Sequence, residues 1–125
     1  MHNHQIAIAS AYRAAVSSCT LALMLNPSDE KLYLQRGLSY FKLDHFDEAI
    51  ADCTAALKID PSDAAALYIR GAAELKKGDI ADGNADVRSA KIIKPDIGND
   101  LGIEIECKVG DQGRFPHIYG CHPAP

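Results

Sequence analysis

Four side chains near the C-terminus have the composition of a zinc site, namely Cys107, His117, Cys121 and His122. Thiolate and imidazole are suitable zinc ligands, and a structural zinc ion prefers four of them. However, the spacing contains no C-x-x-C or H-x-x-x-H pair, and the segment is interrupted by prolines. A disulfide between Cys107 and Cys121 is the other chemistry open to this group. We therefore expect no resident metal or cofactor, and retain a metal-binding or thiol-active tail as one alternative function.

The other cysteines and a histidine in a turn are better explained by structure than by catalysis. Cys19 and Cys53 lie in apolar segments of helical periodicity, where a free cysteine packs as a small hydrophobe. His45 lies beside Asp44 and Asp47, and nothing nearby indicates the substrate pocket that a general base needs. The chain contains no P-loop, G-x-G-x-x-G, G-x-S-x-G or H-E-x-x-H motif. These observations predict that the protein is not an enzyme.

Length and composition indicate one folded domain. The chain has 125 residues, of which 47% are hydrophobic and 24% are charged, and this suffices to bury a core without disulfides or metals. The net charge of −4 and the 6% aromatic content without Trp argue against nucleic-acid binding, because nucleic-acid binders usually present basic or base-stacking surfaces.

The most apolar run extends from Ile6 to Leu25 and is interrupted by Arg13 and by serines. We therefore expect no membrane-spanning segment and no membrane partner. Residues 1–4 lack the fixed positive charge that begins a secretory signal. The expected location is the cytoplasm.

A repeat of 34 residues organises the chain. The offset relates several residue types: Pro27, Pro61 and Pro95; Gly37 and Gly71; Ala22, Ala56 and Ala90; Cys19 and Cys53. A fixed period of this length indicates stacked supersecondary units.

Each unit is predicted to contain two helices. Apolar residues recur at helical spacing on both sides of a polar break, which is Asp44-His45 in one unit and Gly78-Asp79 in the next. Asp44 and Asp79 are expected to cap the helices that follow, and Pro61 ends a helix because the residue before a proline avoids the α region. The predicted helices span about 29–43, 46–59, 63–77 and 80–93, preceded either by one long N-terminal helix or by a frayed start and a helix over 11–25.

These units resemble the tetratricopeptide repeat, a helix–turn–helix unit of 34 residues. Residues 30–63 match the family pattern at Tyr33, Arg36, Gly37, Tyr40, Phe46, Ala49, Cys53, Ala56 and Pro61. Residues 64–97 match it at Leu67, Arg70, Gly71, Ile80, Val87, Ala90 and Pro95, and part of an earlier unit shows as Tyr12, Ala15, Cys19, Ala22 and Pro27. The resemblance covers about residues 11–97. It implies an all-α fold, a short right-handed solenoid of about two and a half antiparallel helix–turn–helix units.

The resemblance also implies the domain organisation. The repeat domain over residues 1–105 consists of a partial unit at 1–27, complete units at 28–61 and 62–95, and a capping helix at 96–105, followed by an irregular tail at 106–125. Alternating residues at 103–109 favour a strand with a return over 114–119 instead, but we rank the helix first because the last unit needs covering. Glu74 and Gly83 depart from the pattern, and Gly83 is expected to serve close helix packing.

By resemblance, the first helices of the units line a concave groove that binds a peptide or a partner protein. The implied groove residues are Lys31, Leu34, Gln35, Leu38, Phe41, Lys42, Tyr68, Ile69, Ala72 and Lys76, with Ala65 and Leu75 alongside. An apolar floor edged by lysines suits a hydrophobic peptide with some negative charge, and Tyr68 is the expected anchor. Some members of the family bind acidic chaperone tails through Lys, Asn and Arg. At the matching positions this chain has Gln35, Ala65 and Ile69, so that clamp is not carried over.

The first unit lacks its first helix, which leaves an apolar face of the N-terminal helix uncovered. An exposed apolar patch promotes association. Self-assembly as a homo-oligomer through this helix is therefore a second hypothesis, which a concentration-dependent mass would support.

Overall fold

The computed structural model describes residues 2–105, with side chains from Gln5 onward. Six helices follow one another along this part of the chain: α1 (His2–Leu25), α2 (Glu30–Lys42), α3 (Phe46–Ile59), α4 (Ala64–Lys76), α5 (Ile80–Ile93) and α6 (Ile97–Leu101). No strand occurs within residues 2–105. The all-α prediction is confirmed, and α2 to α5 begin and end within about one residue of the predicted bounds. Of the two N-terminal alternatives, the single long helix is the one that forms.

Neighbouring helices pack in order as hairpins. Each of the helices from α1 to α4 packs against the next one along the chain, and α2 also packs against α4. A contact between the first helices of successive units is what a stack of hairpins produces. This arrangement confirms the predicted short solenoid.

The turns repeat with the same 34-residue offset as the sequence. Asp29 and Asp63 cap α2 and α4, because their carboxylates accept backbone N–H bonds from the first helical turn, each at 3.1 Å. The predicted capping by Asp44 and Asp79 is wrong, since no side-chain cap forms at the start of α3 or α5. Asp44 instead adopts a left-handed backbone with φ 63°, as Gly78 does at the equivalent position with φ 92°.

Helices α4 and α5 approach closely at two glycines. A Cβ atom on Gly83 would lie 2.7 Å from Leu75 Cγ and 2.9 Å from the carbonyl oxygen of Gly71. A Cβ atom on Gly71 would lie 2.8 Å from Val87 Cγ2. These separations are shorter than van der Waals contact, so the two helices reach this distance only because both positions lack a side chain. The prediction that Gly83 serves close packing is confirmed.

A repeated set of arginine contacts links the two helices of each unit to each other and to the preceding unit. In each complete unit, an arginine on the first helix donates to both carboxylate oxygens of an aspartate on the second helix, at 2.7 to 3.0 Å. The same guanidinium donates to a threonine hydroxyl of the preceding unit, at 3.1 and 3.3 Å. The two sets are Thr20, Arg36 and Asp52, and Thr54, Arg70 and Asp86, and we call them the arginine ladder. Each rung joins three successive helices and so fixes their register.

Helix α1 occupies the position of a second helix in the stack, and part of its apolar surface is exposed. Cys19 and Leu23 are buried on the side that packs against α2. On its outer side, Leu21 and Leu25 are 65% and 84% exposed. The uncovered apolar face that the sequence predicts is therefore present in the structure.

By length and composition alone, the part of α1 from Gln5 to Leu25 suffices to cross a membrane. Arg13 and the serines therefore do not exclude a span by length and composition, contrary to the expectation from the sequence. In the structure the same helix contributes Cys19 to the buried interior and Thr20 to the arginine ladder, which are contacts of a repeat helix.

Helix α6 is shorter than the predicted capping helix over 96–105. Gly102 ends it in the left-handed conformation with φ 65°, which glycine adopts without a steric penalty. Residues 103–105 form neither helix nor strand, whereas the rest of the predicted hairpin and the tail at 106–125 lie outside the described residues. Ile97 and Ile103 are buried and join the core.

Candidate partner-binding groove

The α2–α4 groove is the surface that the first helices of the two complete units form side by side. We define it by Lys31, Leu34, Leu38 and Lys42 of α2 and by Ala65, Tyr68, Ala72, Leu75 and Lys76 of α4. Residues three and four apart on a helix share one face, and the 34-residue offset puts the same face of each unit on the groove. Both helices therefore contribute one stripe of side chains to it.

The accessible part of the groove combines leucines with lysines. Leu34 and Leu38 are half-buried and pack against the core, while Lys31 and Lys76 are exposed. These four side chains have the exposure that contact with a ligand requires, and their role in binding stays a prediction.

Three other predicted contact residues are buried. Phe41, Tyr68 and Ala72 all lie in the core cluster, and only 3% of the Tyr68 surface is exposed. Phe41 packs edge-on against Phe46, with ring centroids 5.5 Å apart. Phe41 and Ala72 therefore support the groove from beneath, whereas the hydroxyl of the buried Tyr68 donates to the segment that follows α6.

Gln35 and Ile69 occupy equivalent positions on α2 and α4. Gln35 is exposed, and its Oε1 accepts a hydrogen bond from the Cys19 thiol of α1, at 3.8 Å. Ile69 is fully buried, so it is not accessible to a ligand in this conformation, whereas the role of Gln35 in the groove stays a prediction.

The segment that follows α6 lies on the α2–α4 groove. Lys42 Nζ donates to the carbonyl oxygen of Gly102 at 2.9 Å, and the Tyr68 hydroxyl donates to that of Ile103 at 3.1 Å. Burial, and to a smaller extent the charge of Glu104, raises the pKa of the Tyr68 hydroxyl, which keeps this donor protonated. Sequence analysis missed both contacts, since no pattern in the chain relates Lys42 to a residue so far along it.

A cluster of carboxylates lies where the turn before α4 meets the start of α2. Carboxylate oxygens of Glu30, Asp60 and Asp63 lie within 4.8 Å of one another. A hydrogen bond with Asp63, together with burial, raises the pKa of Glu30 to about 7. Because Asp63 also caps α4, the cluster has a structural explanation.

The buried thiols are poor candidates for chemistry. Burial raises the pKa of the Cys53 thiol far above its usual range and also raises that of Cys19. Only the thiolate is a good nucleophile, so both environments favour the predicted role in packing. His45 lies exposed in the turn between α2 and α3. The zinc candidates Cys107, His117, Cys121 and His122 lie outside the described residues.

Comparison with known proteins identifies the repeat. The sequence profile of the tetratricopeptide repeat family matches residues 30–63, and the TPR domain of Arabidopsis OM64 superposes with a TM-score of 0.68 at 28% identity, covering 74% of this chain and 78% of that one. Residues 30–63 are a tetratricopeptide repeat, and the chain shares the fold of tetratricopeptide domains. The first TPR domain of Spaghetti (RPAP3), bound to the HSP90 peptide SRMEEVD, superposes with a TM-score of 0.67 at 25% identity, covering 74% of this chain and 76% of that one.

One further tetratricopeptide structure shares the fold over a longer span. The TPR2B domain of yeast Sti1, in a complex with pHsp70, superposes with a TM-score of 0.65 at 23% identity, covering 89% of this chain and 82% of that one. No curated protein matches the chain. The tetratricopeptide helices present the groove, whereas the contacts of Lys42 and Tyr68 with residues 102–103 depend on the chain that follows the last complete repeat.

Proposed function

We propose that this protein is a non-catalytic adaptor that binds an extended peptide of a partner protein in the α2–α4 groove. The observation that carries the proposal is the pair of half-buried leucines, Leu34 and Leu38, beside the exposed Lys31 and Lys76. Burying apolar surface drives such binding, at about 25 cal/mol per Å² before the costs of association. Lysines near the groove favour a peptide that also carries negative charge. The peptide-bound Spaghetti domain supports a peptide as the ligand.

The ligand that we propose is not the acidic tail of a chaperone. At the positions of the family's clamp this chain has Gln35, Ala65 and Ile69. None of the three carries a charge, and Ile69 is fully buried. We infer a cytoplasmic partner that is selected mainly by its apolar side chains, with charge in a secondary role.

A peptide array tests this proposal. Short apolar peptides that contain one acidic residue are probed with the wild-type chain and with a Leu34→Glu/Leu38→Glu variant. The matched control is Ala81→Glu/Ala85→Glu, which adds the same charge to two exposed positions of α5. We expect the wild type and the control to bind the same peptides and the groove variant to bind none. Binding retained by a groove variant that circular dichroism shows to be folded would move the site elsewhere.

Helix α1 supports self-association as a second candidate function. The side chains of Leu21 and Leu25 are exposed on its outer side. We infer that α1 packs against α1 of a second copy. Sedimentation equilibrium over a range of concentrations tests this, with Leu21→Glu/Leu25→Glu as the disrupting variant. A monomeric mass for the wild type at the highest concentration would remove the hypothesis.

A further inference from the structure

The segment Gly102–Ile105 leaves α6 and turns onto the α2–α4 groove. The left-handed backbone of Gly102, with φ 65°, ends α6, and the amide of Ile103 donates to the Gly98 carbonyl oxygen at 3.0 Å. Beyond this point the chain is neither helical nor paired as a strand through Ile105. The groove therefore holds a short non-helical stretch of the chain itself.

Side chains in this segment alternate between the protein and solvent. Ile103 is 5% exposed, Glu104 is exposed, and Ile105 is half-buried against the core. Alternation with a period of two is the signature of an extended backbone with one face covered. The protein surface beneath the segment therefore contacts the two isoleucines of an Ile-x-Ile pattern.

The groove holds the backbone of the segment as well as its isoleucines. Lys42 and Tyr68 donate to the successive carbonyl oxygens of Gly102 and Ile103. Because these donors contact main-chain oxygens, neither hydrogen bond selects a side chain, although the left-handed backbone at position 102 favours glycine. The selectivity must come from the side chains that alternate toward the protein, and here both are isoleucine.

Glycine at position 98 lets the segment lie this close. A Cβ atom there would lie 2.7 Å from the Tyr68 hydroxyl oxygen and 3.1 Å from the carbonyl oxygen of Ile103. Any larger residue would therefore separate the segment from its tyrosine. Position 98 offers a way to loosen the segment, and the added atom would also contact the Tyr68 ring of the groove.

We propose that residues 102–105 occupy the α2–α4 groove as an internal ligand, and that the external partner is an extended peptide with branched aliphatic residues at alternate positions and an acidic residue between them. The acidic residue corresponds to Glu104, and the exposed Lys31 and Lys76 of the groove complement it in charge. This inference rests on the proposed peptide-binding function and adds to it the pattern of the ligand and its competition with the chain's own segment.

Competition makes a quantitative prediction. When the binding-competent form is only a fraction of the molecules, the apparent affinity falls by that fraction. If the segment occupies the groove in nine molecules of ten, its release strengthens binding about tenfold. A variant that loosens the segment should therefore bind the partner peptide more tightly than the wild type does.

The probe is a fluorescent peptide with the sequence of residues 100–106, Asp-Leu-Gly-Ile-Glu-Ile-Glu, measured by fluorescence anisotropy on the full chain. Two variants loosen the segment by different means, Ile103→Ser/Ile105→Ser and Gly98→Ala. We expect each to bind the probe about tenfold more tightly than the wild type. In the loosened background, Tyr68→Phe should weaken binding about two- to tenfold, which is the contribution of one hydrogen bond. A probe with both isoleucines replaced by serine should not bind.

Three results would overturn the inference. The first is that the probe binds the wild type and both loosened variants with equal affinity. The second is that the serine probe binds as well as the isoleucine probe. The third is that Tyr68→Phe leaves probe binding in the loosened background unchanged. Circular dichroism verifies that each variant is folded, and Arg88→Ala, at an exposed position of α5, is the control that should match the wild type. If array peptides bind the wild type in a groove-dependent manner while loosening changes nothing, this inference fails and the proposed function stands. If no peptide binds either the wild type or a loosened variant, the proposed function itself fails.

Discussion

Replacing Arg70 with methionine removes one rung of the arginine ladder and keeps a side chain of similar length. The guanidinium donates to both carboxylate oxygens of Asp86, at 2.7 and 3.0 Å, and to the Thr54 hydroxyl at 3.3 Å. The side chain of Asp86 is only 14% exposed. After the substitution, its charge remains at a site that water reaches poorly, and α3, α4 and α5 lose their shared polar contact.

We expect Arg70→Met to lower the free energy of unfolding by about 3 kcal/mol. A hydrogen bond to a charged group contributes about 1.5–3 kcal/mol, and removing one partner of a buried ion pair costs about 3–5 kcal/mol. The Arg70 side chain is 25% exposed, so water can partly replace it, and this places the expected loss at the lower end of that range.

Removing both charges should lower the free energy of unfolding less than removing one of them does. In Arg70→Met/Asp86→Leu no charge is left without a partner, and apolar replacement of a buried pair is often close to neutral. We therefore expect a loss of about 1 kcal/mol for this double variant. Urea unfolding at pH 7, followed by circular dichroism, measures both losses, with the exposed Arg88→Met as the matched control. A single variant as stable as the control, or a double variant less stable than Arg70→Met, would refute the reasoning.

Three other changes test separate parts of the structure. Burial, and then a hydrogen bond with Asp86, raises the pKa of Glu74 to about 8. Since the folded state disfavours the ionised form, the free energy of unfolding should fall as the pH rises from about 5 to 9. Glu74→Gln should remove the part of this fall that Glu74 causes, as measured by urea titrations at the two pH values. Gly83→Ala places a Cβ atom 2.7 Å from Leu75 Cγ and 2.9 Å from a backbone oxygen of α4. We therefore expect the free energy of unfolding to fall by about 1–3 kcal/mol in thermal melting experiments. An unchanged melting temperature would contradict the close approach of the helices. The fully buried Cys53 should react with a thiol reagent only after unfolding, and mass spectrometry of labelled peptides should find it unmodified in the native protein.

The repeat could be predicted from the sequence because each of its signals is local. Proline ends a helix at position 61 whatever its surroundings, and Asp29 and Asp63 cap helices through bonds within their own first turn. Gly102 carried a similar signal for the end of α6, since glycine favours the left-handed position that follows a helix. The predicted helix over 96–105 extends beyond Gly102, because a helix of that length was expected to cover the last unit.

The groove could be predicted only in outline, because the side that a residue faces depends on its tertiary neighbours. Ile69 and Gln35 occupy equivalent positions with spacings compatible with the groove stripe, yet Ile69 is fully buried, whereas Gln35 is exposed and contacts Cys19 of α1. The arginine ladder left a signal in the sequence, as Thr20 and Thr54, Arg36 and Arg70, and Asp52 and Asp86 all share the 34-residue offset. What the sequence does not contain is the pairing between these three positions, which arises only when the units stack.

The molecule combines a firmly held scaffold with a weakly held segment. Bidentate ion pairs join α2 to α3 and α4 to α5, and hydrogen bonds to threonine join each of these pairs to the helix before it. Helices α4 and α5 also touch at glycines that leave no space for a side chain. By contrast, residues 102–105 are held by two isoleucines and by two side-chain hydrogen bonds, one of them from the half-buried Lys42. Displacing the segment removes Ile103 from the core cluster, but the arginine ladder and the glycine contacts of α4 and α5 involve none of residues 102–105. If the proposed function holds, an external peptide replaces the segment on the α2–α4 groove, and the affinity required of that peptide is set by how strongly the segment holds its place.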